Sequence, residues 1–230
     1  MAELETRPDY LEHRGRVRER LIQGGPEALA DYEILELILA AANPRGDTKP
    51  LAKELLRQFD NDLAAVLSAP PERLRAVKGL KDAGIGSIKV VAAAALRLAR
   101  AEASEQPIIG SWDKLLDYLT IALAREPVEC FHVLFLDRKN RLIADERQQR
   151  GTVDHTPVYP RQVVKRALEL EASALVLVHN HPSGDPTPSR ADIELTRELA
   201  EAVARLGIAL HDHVIVARGG HTSFRAKGLI

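Results

Sequence analysis

The chain has 230 residues, of which 45% are hydrophobic and 4% aromatic, and its formal net charge is −1. This near-neutral balance gives no overall electrostatic argument for binding nucleic acid or a membrane surface. No apolar run approaches the roughly 18 residues that a transmembrane helix needs. The single cysteine, Cys130, excludes an intramolecular disulfide. Because the charged N-terminus also lacks the apolar core of a signal peptide, we expect a cytoplasmic protein without a membrane partner.

The first hundred residues predict only helices, since no alternating strand pattern occurs before about residue 130. Residues 1–20 are charged, and we expect the start of this segment to be mobile. The predicted helices cover residues 30–39, 50–59, 62–68, 71 to about 78, and 85–103.

A basic segment in this half, residues 77–96, resembles a helix-hairpin-helix, in which a glycine-containing turn presents backbone N–H groups to a phosphate. Residues 73–100 contain seven Lys or Arg and one acidic residue. The glycine–hydrophobic–glycine triplet expected in the turn is either residues 79–81, where lysine replaces the second glycine, or residues 84–86. The alternative is a helical bundle with a solvated basic face. If DNA binds this domain, the contact residues are Lys78, Gly79, Lys81, Gly84 and Gly86.

Residues 101–110 lose the helical pattern and include Pro107, so they form the predicted linker. We place a domain boundary there, with a helical domain over residues 1–105 and a second domain over residues 106–230. In the second domain helices alternate with strands, which predicts a layered α/β fold. Its predicted helices cover 111–125, 161–170 and 190–206, and its predicted strands cover 131–136, 141–146, 174–178 and 208–216.

Local signals add detail to this second domain. Ser111 is placed to cap its helix, and Gly207 is placed to end the helix 190–206 in the left-handed conformation. On the helix 161–170 the apolar spacing directs three side chains inward, and residues 151–160 are expected to be irregular with some extended character. The three inward side chains are Val164, Ala167 and Leu168.

The most informative stretch is ALVLVHNHPSGDPTPSRAD, residues 174–192. Its apolar, β-branched start predicts a buried strand. Side chains two apart on a strand point the same way, so His179 and His181 are expected to converge. Pro182 then ends the strand, and Ser189 opens a helix that carries Asp192. Two imidazoles and one carboxylate form a ligand set for zinc that keeps its fourth position for water.

These residues resemble the JAMM signature of the JAB/MPN metallopeptidases, in which His-x-His-Pro is followed after six residues by Ser and after two more by Asp. The flanking segments RGTVDHTPVYPR (150–161), KRALELEASALVLVHNHPSGDPTPS (165–189) and LHDHVIV (210–216) resemble the bacterial RadC-like family. The likeness is strong over the last half of the chain and looser over the first. It implies a JAB/MPN-like α/β domain and a Zn²⁺-dependent hydrolase. Such an enzyme would cleave a peptide or isopeptide bond of a peptide or protein substrate through a metal-activated water.

The resemblance also implies a glutamate as general base, at the start of a strand that follows a helix. Glu129 occupies such a place, Glu146 on the next strand is its rival, and we favour Glu129. In the family Ser189 would lie beside the metal and hydrogen-bond the forming oxyanion. Ser-x-x-Asp at a helix start is also nearly a capping box, and the two roles are compatible.

The second His-x-His, at His211 and His213, is followed by no carboxylate, so we interpret it as structural or as support for the ligands. A different class of function is also open: a non-catalytic DNA- or protein-binding accessory module linked to DNA repair or recombination. The basic segment of the helical domain favours this alternative, and the complete metal-ligand set favours the hydrolase.

Overall fold

The structure, a computed structural model, describes residues 9–104, 107–150 and 158–230. The chain divides into two compact units, Met1–Ala95 and Leu96–Ile230. Three predicted stretches lie wholly or partly outside the described residues: the start of the chain, the linker at 101–110 and the irregular segment 151–160. Among the described residues, no helix combines the length and the apolar character that crossing a membrane requires.

The N-terminal unit is all-helical in its described part, as predicted. Proline stands in the first turn of two of its helices, where a missing N–H costs nothing. The side chain of Asp62 caps a third by accepting the N–H of Ala65 at 2.9 Å. The buried core includes Leu35, Leu55 and Phe59. The helices are α1 (Asp9–Gly24), α2 (Asp31–Ala42), α3 (Lys49–Gln58), α4 (Leu63–Ser68), α5 (Pro71–Arg75) and α6 (Asp82–Ser104), the last of which continues into the second unit.

Helix α1 was not predicted, since the sequence pattern indicated no helix or strand in residues 1–20. The helix buries Arg14 and Val17, so its inward face is half polar and gives no apolar periodicity. The Arg14 guanidinium donates hydrogen bonds to the carbonyl oxygens of Pro44 and Gly46 at 3.0 and 2.6 Å. Polar contacts to the loop after α2 therefore hold this helix.

The C-terminal unit is built on a five-stranded mixed sheet in the order β2-β1-β3-β4-β5. The central strand β3 pairs antiparallel with β1 and parallel with β4, to which α9 connects it. All seven residues of β3 are buried, as its apolar sequence predicted. The elements are α7 (Trp112–Leu123), β1 (Cys130–Leu136), β2 (Leu142–Arg150), α8 (Pro160–Glu169), β3 (Ala174–Asn180), α9 (Arg190–Ala204), β4 (Ala209–Ala217) and β5 (Gly220–Ser223).

Alternating side chains of the strands divide between two apolar layers. One layer joins Leu134 and Val176 to Leu119 on α7. The other joins Phe135 and Leu177 to α8 and α9. This arrangement confirms the predicted layered α/β fold preceded by helices.

Two local predictions for this unit need correction, one strand was not predicted, and one prediction is confirmed. The Ser111 hydroxyl donates to the carbonyl of Pro107 at 3.1 Å and does not cap α7. On α8 the buried side chains are Val163 and Ala167, whereas Leu168 is 53% exposed. The four-residue strand β5 was not predicted. Gly207, with φ 72°, does end α9, since its N–H reaches the carbonyl of Ala204 at 3.0 Å.

Candidate metal centre

The two imidazoles of the His-x-His converge where β3 ends. Their Nε2 atoms lie 3.0 Å apart, because side chains two apart share one face of the strand. His179 is 1% exposed and sits under the parallel-stacked ring of Phe131. His181 is oriented by its Nδ1–H, which donates to the carbonyl of Asp185 at 2.8 Å. Its Nε2 therefore faces the space that it shares with His179.

Asp192 reaches the same space from the first turn of α9. Ser189 caps this helix, since its Oγ accepts the N–H of Asp192 at 3.2 Å. In return, Asp192 Oδ2 accepts the backbone N–H and the hydroxyl of Ser189, each at 2.7 Å. The reciprocal bonds complete the predicted capping box and fix the carboxylate on the helix end.

The donor atoms of the three residues all lie within 4.8 Å of one another, close enough to hold one metal ion. Asp192 Oδ1 lies 3.3 Å from His179 Nε2, and Oδ2 lies 3.7 Å from His181 Nε2. Zinc ligands at about 2.0–2.1 Å in a tetrahedron are about 3.3–3.4 Å from one another. Within the described part of the chain, these three residues form the only such group of potential metal ligands.

Electrostatics in the centre favour an ionised carboxylate beside the imidazoles. Burial opposes ionisation of Asp192, yet the adjacent imidazoles of His179 and His181 hold its pKa well below the ordinary value. The hydrogen bond with Asp192 likewise raises the pKa of His181, and the negative charge of Glu129 adds to that shift. The carboxylates of Asp192 and Glu129 therefore both act electrostatically on His181.

Glu129 and Glu146, the two candidates for the general base, lie in different surroundings. Phe131 pairs with His179 across β1 and β3, so the register continued by two residues sets Glu129 opposite His181. Glu146 on β2 instead forms a bidentate pair with Arg166 of α8, at 2.6 and 2.9 Å. Of these two glutamates, Glu129 is the one whose charge helps to raise the pKa of His181.

Asn180 holds the loop that leads to Glu129. Asn180 lies between His179 and His181 in sequence and is fully buried. Its side chain points to the face of the sheet opposite to that of the two imidazoles. Its Oδ1 accepts the N–H of Cys130 at 2.8 Å, and its Nδ2 donates to the carbonyl of Val128 at 3.1 Å. The sequence analysis did not single out Asn180.

The second His-x-His does not form a metal pair. A bulge in the β3–β4 pairing falls at His211, which turns to the side-chain oxygen of Asn140, its Nε2 lying 2.6 Å away. His213 stays behind the centre, with its Nε2 2.8 Å from Nδ1 of His179. Burial lowers the pKa of His213 well below the ordinary value, and the adjacent His179 adds to the effect. This geometry agrees with the predicted supporting role.

The residues proposed to contact DNA lie around the turn from α5 to α6. Gly79, with φ 91°, is in the turn itself, and Lys78 and Lys81 are exposed on either side of it. Gly84 is buried within α6, where a Cβ would meet Leu80 Cδ1 at 2.8 Å. Gly86, also in α6, is exposed. Of the two candidate triplets, residues 79–81 lie between α5 and α6, and residues 84–86 are helical.

Comparison with known proteins gives the class of this chain. The family described as "RadC-like JAB domain" matches residues 109–229, and the family described as "UPF0758 N-terminal" matches residues 10–86. The chain is thus a JAB-domain protein with a helical N-terminal unit, and it belongs to the RadC-like family, as the sequence motifs predicted.

Two relatives cover almost the whole chain. A UPF0758 protein of Rhodobacter capsulatus is 58% identical over 214 residues, which are 93% of this chain and 100% of the relative. A UPF0758 protein of Ruegeria pomeroyi is 55% identical over 224 residues, which are 97% of this chain and 100% of the relative.

Proposed function

We propose that the chain is a zinc-dependent hydrolase that cleaves a peptide or isopeptide bond. The observation that carries this proposal is the set of three donor atoms from His179, His181 and Asp192, which point into one space at zinc-ligand spacing. Two imidazoles and one carboxylate leave a coordination position for water or substrate, as catalytic zinc sites do. Bound there, zinc would lower the pKa of a water and polarise the scissile carbonyl.

Glu129 is the proposed general base. It lies opposite His181 in the continued register of β1 and β3, on the face that carries the ligands. Its carboxylate would take a proton from the attacking water and pass it to the leaving amine. The clamp formed by Asn180 fixes the backbone on either side of Glu129.

Ser189 has two proposed roles at the centre. In the structure its hydroxyl donates to Asp192 and so orients a ligand. Beside a bound substrate the same hydroxyl would hydrogen-bond the oxyanion that forms as water attacks.

Zinc content and hydrolysis together test the proposal. Protein purified without a histidine tag and exposed to zinc should hold about one zinc per chain, whereas H179A and D192N should hold almost none. The wild-type protein should cleave quenched peptides joined by ordinary or by lysine isopeptide bonds. Absence of zinc in the wild type would contradict the metal site. Bound zinc without cleavage of either peptide set would contradict the hydrolase alone.

A second candidate function, DNA binding by the N-terminal unit, is favoured by the turn between α5 and α6. Lys78 and Lys81 are exposed beside the left-handed Gly79, which suits approach of a phosphate to the backbone. Nearby basic side chains have other partners: Arg75 pairs with Asp82 at 3.1 Å, and Lys89 donates to a backbone carbonyl at 2.9 Å. Lys78 and Lys81 are therefore the basic side chains that we propose to contact DNA at this turn.

DNA binding at this turn should weaken with salt and with removal of its two lysines. For K78Q/K81Q we expect the slope of log affinity against log salt to fall by about 2, roughly one per lost phosphate contact. H179A should bind DNA as the wild type does. An affinity that does not depend on salt would remove this function.

A further inference from the structure

Behind the centre, a chain of hydrogen bonds runs from His179 to the backbone of α9. Its links are His179 Nδ1 to His213 Nε2 at 2.8 Å, His213 Nδ1 to Thr196 Oγ1 at 2.6 Å, and Thr196 Oγ1 to the carbonyl oxygen of Asp192 at 2.5 Å. All the side chains along it are buried, with His213 and Thr196 at 0% exposure. No solvent therefore competes for these bonds.

The direction of every bond follows from the last link. A carbonyl oxygen can only accept, so the single proton of the Thr196 hydroxyl lies toward Asp192. The hydroxyl oxygen must then accept from His213, whose proton is on Nδ1. A neutral imidazole carries one proton, so His213 Nε2 is left as an acceptor and His179 donates to it from Nδ1.

We infer that His213 and Thr196 are positioning residues that keep the Nδ1 proton of His179 in place, so that Nε2 is the only nitrogen of that ring available to a metal. This role rests on the proposed function. It adds Thr196 of α9 and His213 of β4 to the proposed ligands, which come from the end of β3 and the start of α9. Orientation of a ligating histidine through its other nitrogen is a general requirement of metal sites. Here the orienting partner is a second imidazole, itself fixed by a threonine that also contacts the backbone of the ligand Asp192.

The tautomer of His213 tests this inference in the metal-free protein. In ¹⁵N-detected imidazole spectra recorded about two pH units above the ordinary histidine pKa of about 6.5, His213 should carry its proton on Nδ1. T196S keeps the hydroxyl and should keep that tautomer, whereas T196V should move the proton to Nε2. A proton on Nε2 of His213 in the wild type would overturn the inference, whether or not the protein binds zinc.

Zinc affinity, measured by competition with a chelator, supplies the second readout. T196V should weaken zinc binding about 10- to 100-fold, the usual effect of losing an outer partner of a ligand, and T196S should restore it. T48V is the matched control, because Thr48 is another buried threonine whose hydroxyl donates to a backbone carbonyl, here that of Glu36 in the N-terminal unit. Equal affinities for T196V and T48V would also overturn the inference. Failure of the wild type to bind zinc would instead contradict the proposed function, and the tautomer would still decide the role of His213.

Discussion

Asn180 accepts a hydrogen bond from the backbone N–H of Cys130 at 2.8 Å, and this contact joins the ligand strand to the loop that carries Glu129. The same side chain donates to two carbonyl oxygens of that loop, those of Val128 and Glu126, at 3.1 and 3.3 Å. Asn180, which lies between the two candidate ligands in sequence, thus fixes the loop that carries the proposed general base.

We expect N180A to destabilise the C-terminal unit by about 2–4 kcal/mol, since it leaves one buried N–H and two carbonyls of the loop without their partner. Urea unfolding followed by fluorescence measures this change, because the only tryptophan of the chain, Trp112, lies in this unit. A loss below about 0.5 kcal/mol would contradict the clamp. The control is Q162A, at an exposed position of α8 in the same unit.

E129Q should reduce hydrolysis by about 100-fold or more, the usual contribution of a general base, while zinc content stays at the wild-type level. The neutral amide has nearly the size of the carboxylate but cannot take a proton from water. E146Q is the control, because Glu146 is held by Arg166 on α8 and should leave the rate nearly unchanged. The opposite result, with E146Q inactive and E129Q active, would reverse the assignment of the base.

S189A should destabilise the fold by about 1 kcal/mol, the usual value of an N-cap, and should also weaken zinc binding because Asp192 loses its partner. D62A removes a comparable cap from α4 in the N-terminal unit. It should cost a similar free energy of unfolding and leave zinc affinity unchanged. If both variants affect zinc equally, the capping box has no specific role in orienting the ligand.

Asp145 should make the stability of the C-terminal unit sensitive to acid. Burial opposes its ionisation, yet hydrogen bonds from His132 at 2.7 Å and Tyr118 at 2.5 Å keep its pKa below the ordinary value. Such a carboxylate stabilises the fold above the ordinary Asp pKa of about 3.9, and this contribution is lost as pH falls through the lower pKa of the folded state. D145N should therefore cost about 1–3 kcal/mol at neutral pH.

The measurement is the difference in unfolding free energy between the wild type and D145N, followed by Trp112 fluorescence from pH 7 downward. This difference should shrink below about pH 4. The control is D117N, which changes an exposed carboxylate on α7 and should show no comparable dependence on pH. A difference that grows on acidification would contradict the depressed pKa.

Two glycines of α6 should respond oppositely to alanine. At Gly84 a Cβ would meet Leu80 Cδ1 at 2.8 Å and Leu39 Cδ2 at 3.3 Å, so G84A should destabilise the N-terminal unit by about 1–3 kcal/mol. At Gly86 a Cβ meets nothing within 4 Å, so G86A should stabilise the helix by about 0.5–1 kcal/mol. Thermal unfolding followed by circular dichroism distinguishes the two signs. Equal changes in stability for G84A and G86A would contradict the close contact between a Cβ at position 84 and Leu80.

The features predicted correctly are those encoded in short stretches of sequence. The buried strand β3, the convergence of its two histidines and the capping box at Ser189 each depend on residues within a few positions of one another. The same holds for Gly207, whose left-handed conformation ends α9. Where the local pattern and the tertiary structure agree, the sequence alone is enough to predict the feature.

The features that were missed depend on contacts between distant segments. Helix α1 is held by Arg14 through backbone carbonyls 30 and 32 residues away, which no apolar pattern signals. His211 and His213 have different hydrogen-bond partners because of a bulge in the β3–β4 pairing. The sequence could have indicated a role for Thr196 near Asp192. The two residues are four positions apart and so lie on the same face of α9.

The order of these segments along the chain has a consequence for biosynthesis. A nascent polypeptide that has just acquired Asp192 already contains all three metal donors, but His213 is still 21 residues (213 − 192) from being added. At about 5–20 residues per second, translation of that interval takes roughly one to four seconds. Newly made chains therefore pass through a stage that has the three candidate donors but lacks the imidazole of His213. On the proposed function, zinc would be bound at full affinity only after β4 has been synthesised and has paired with β3.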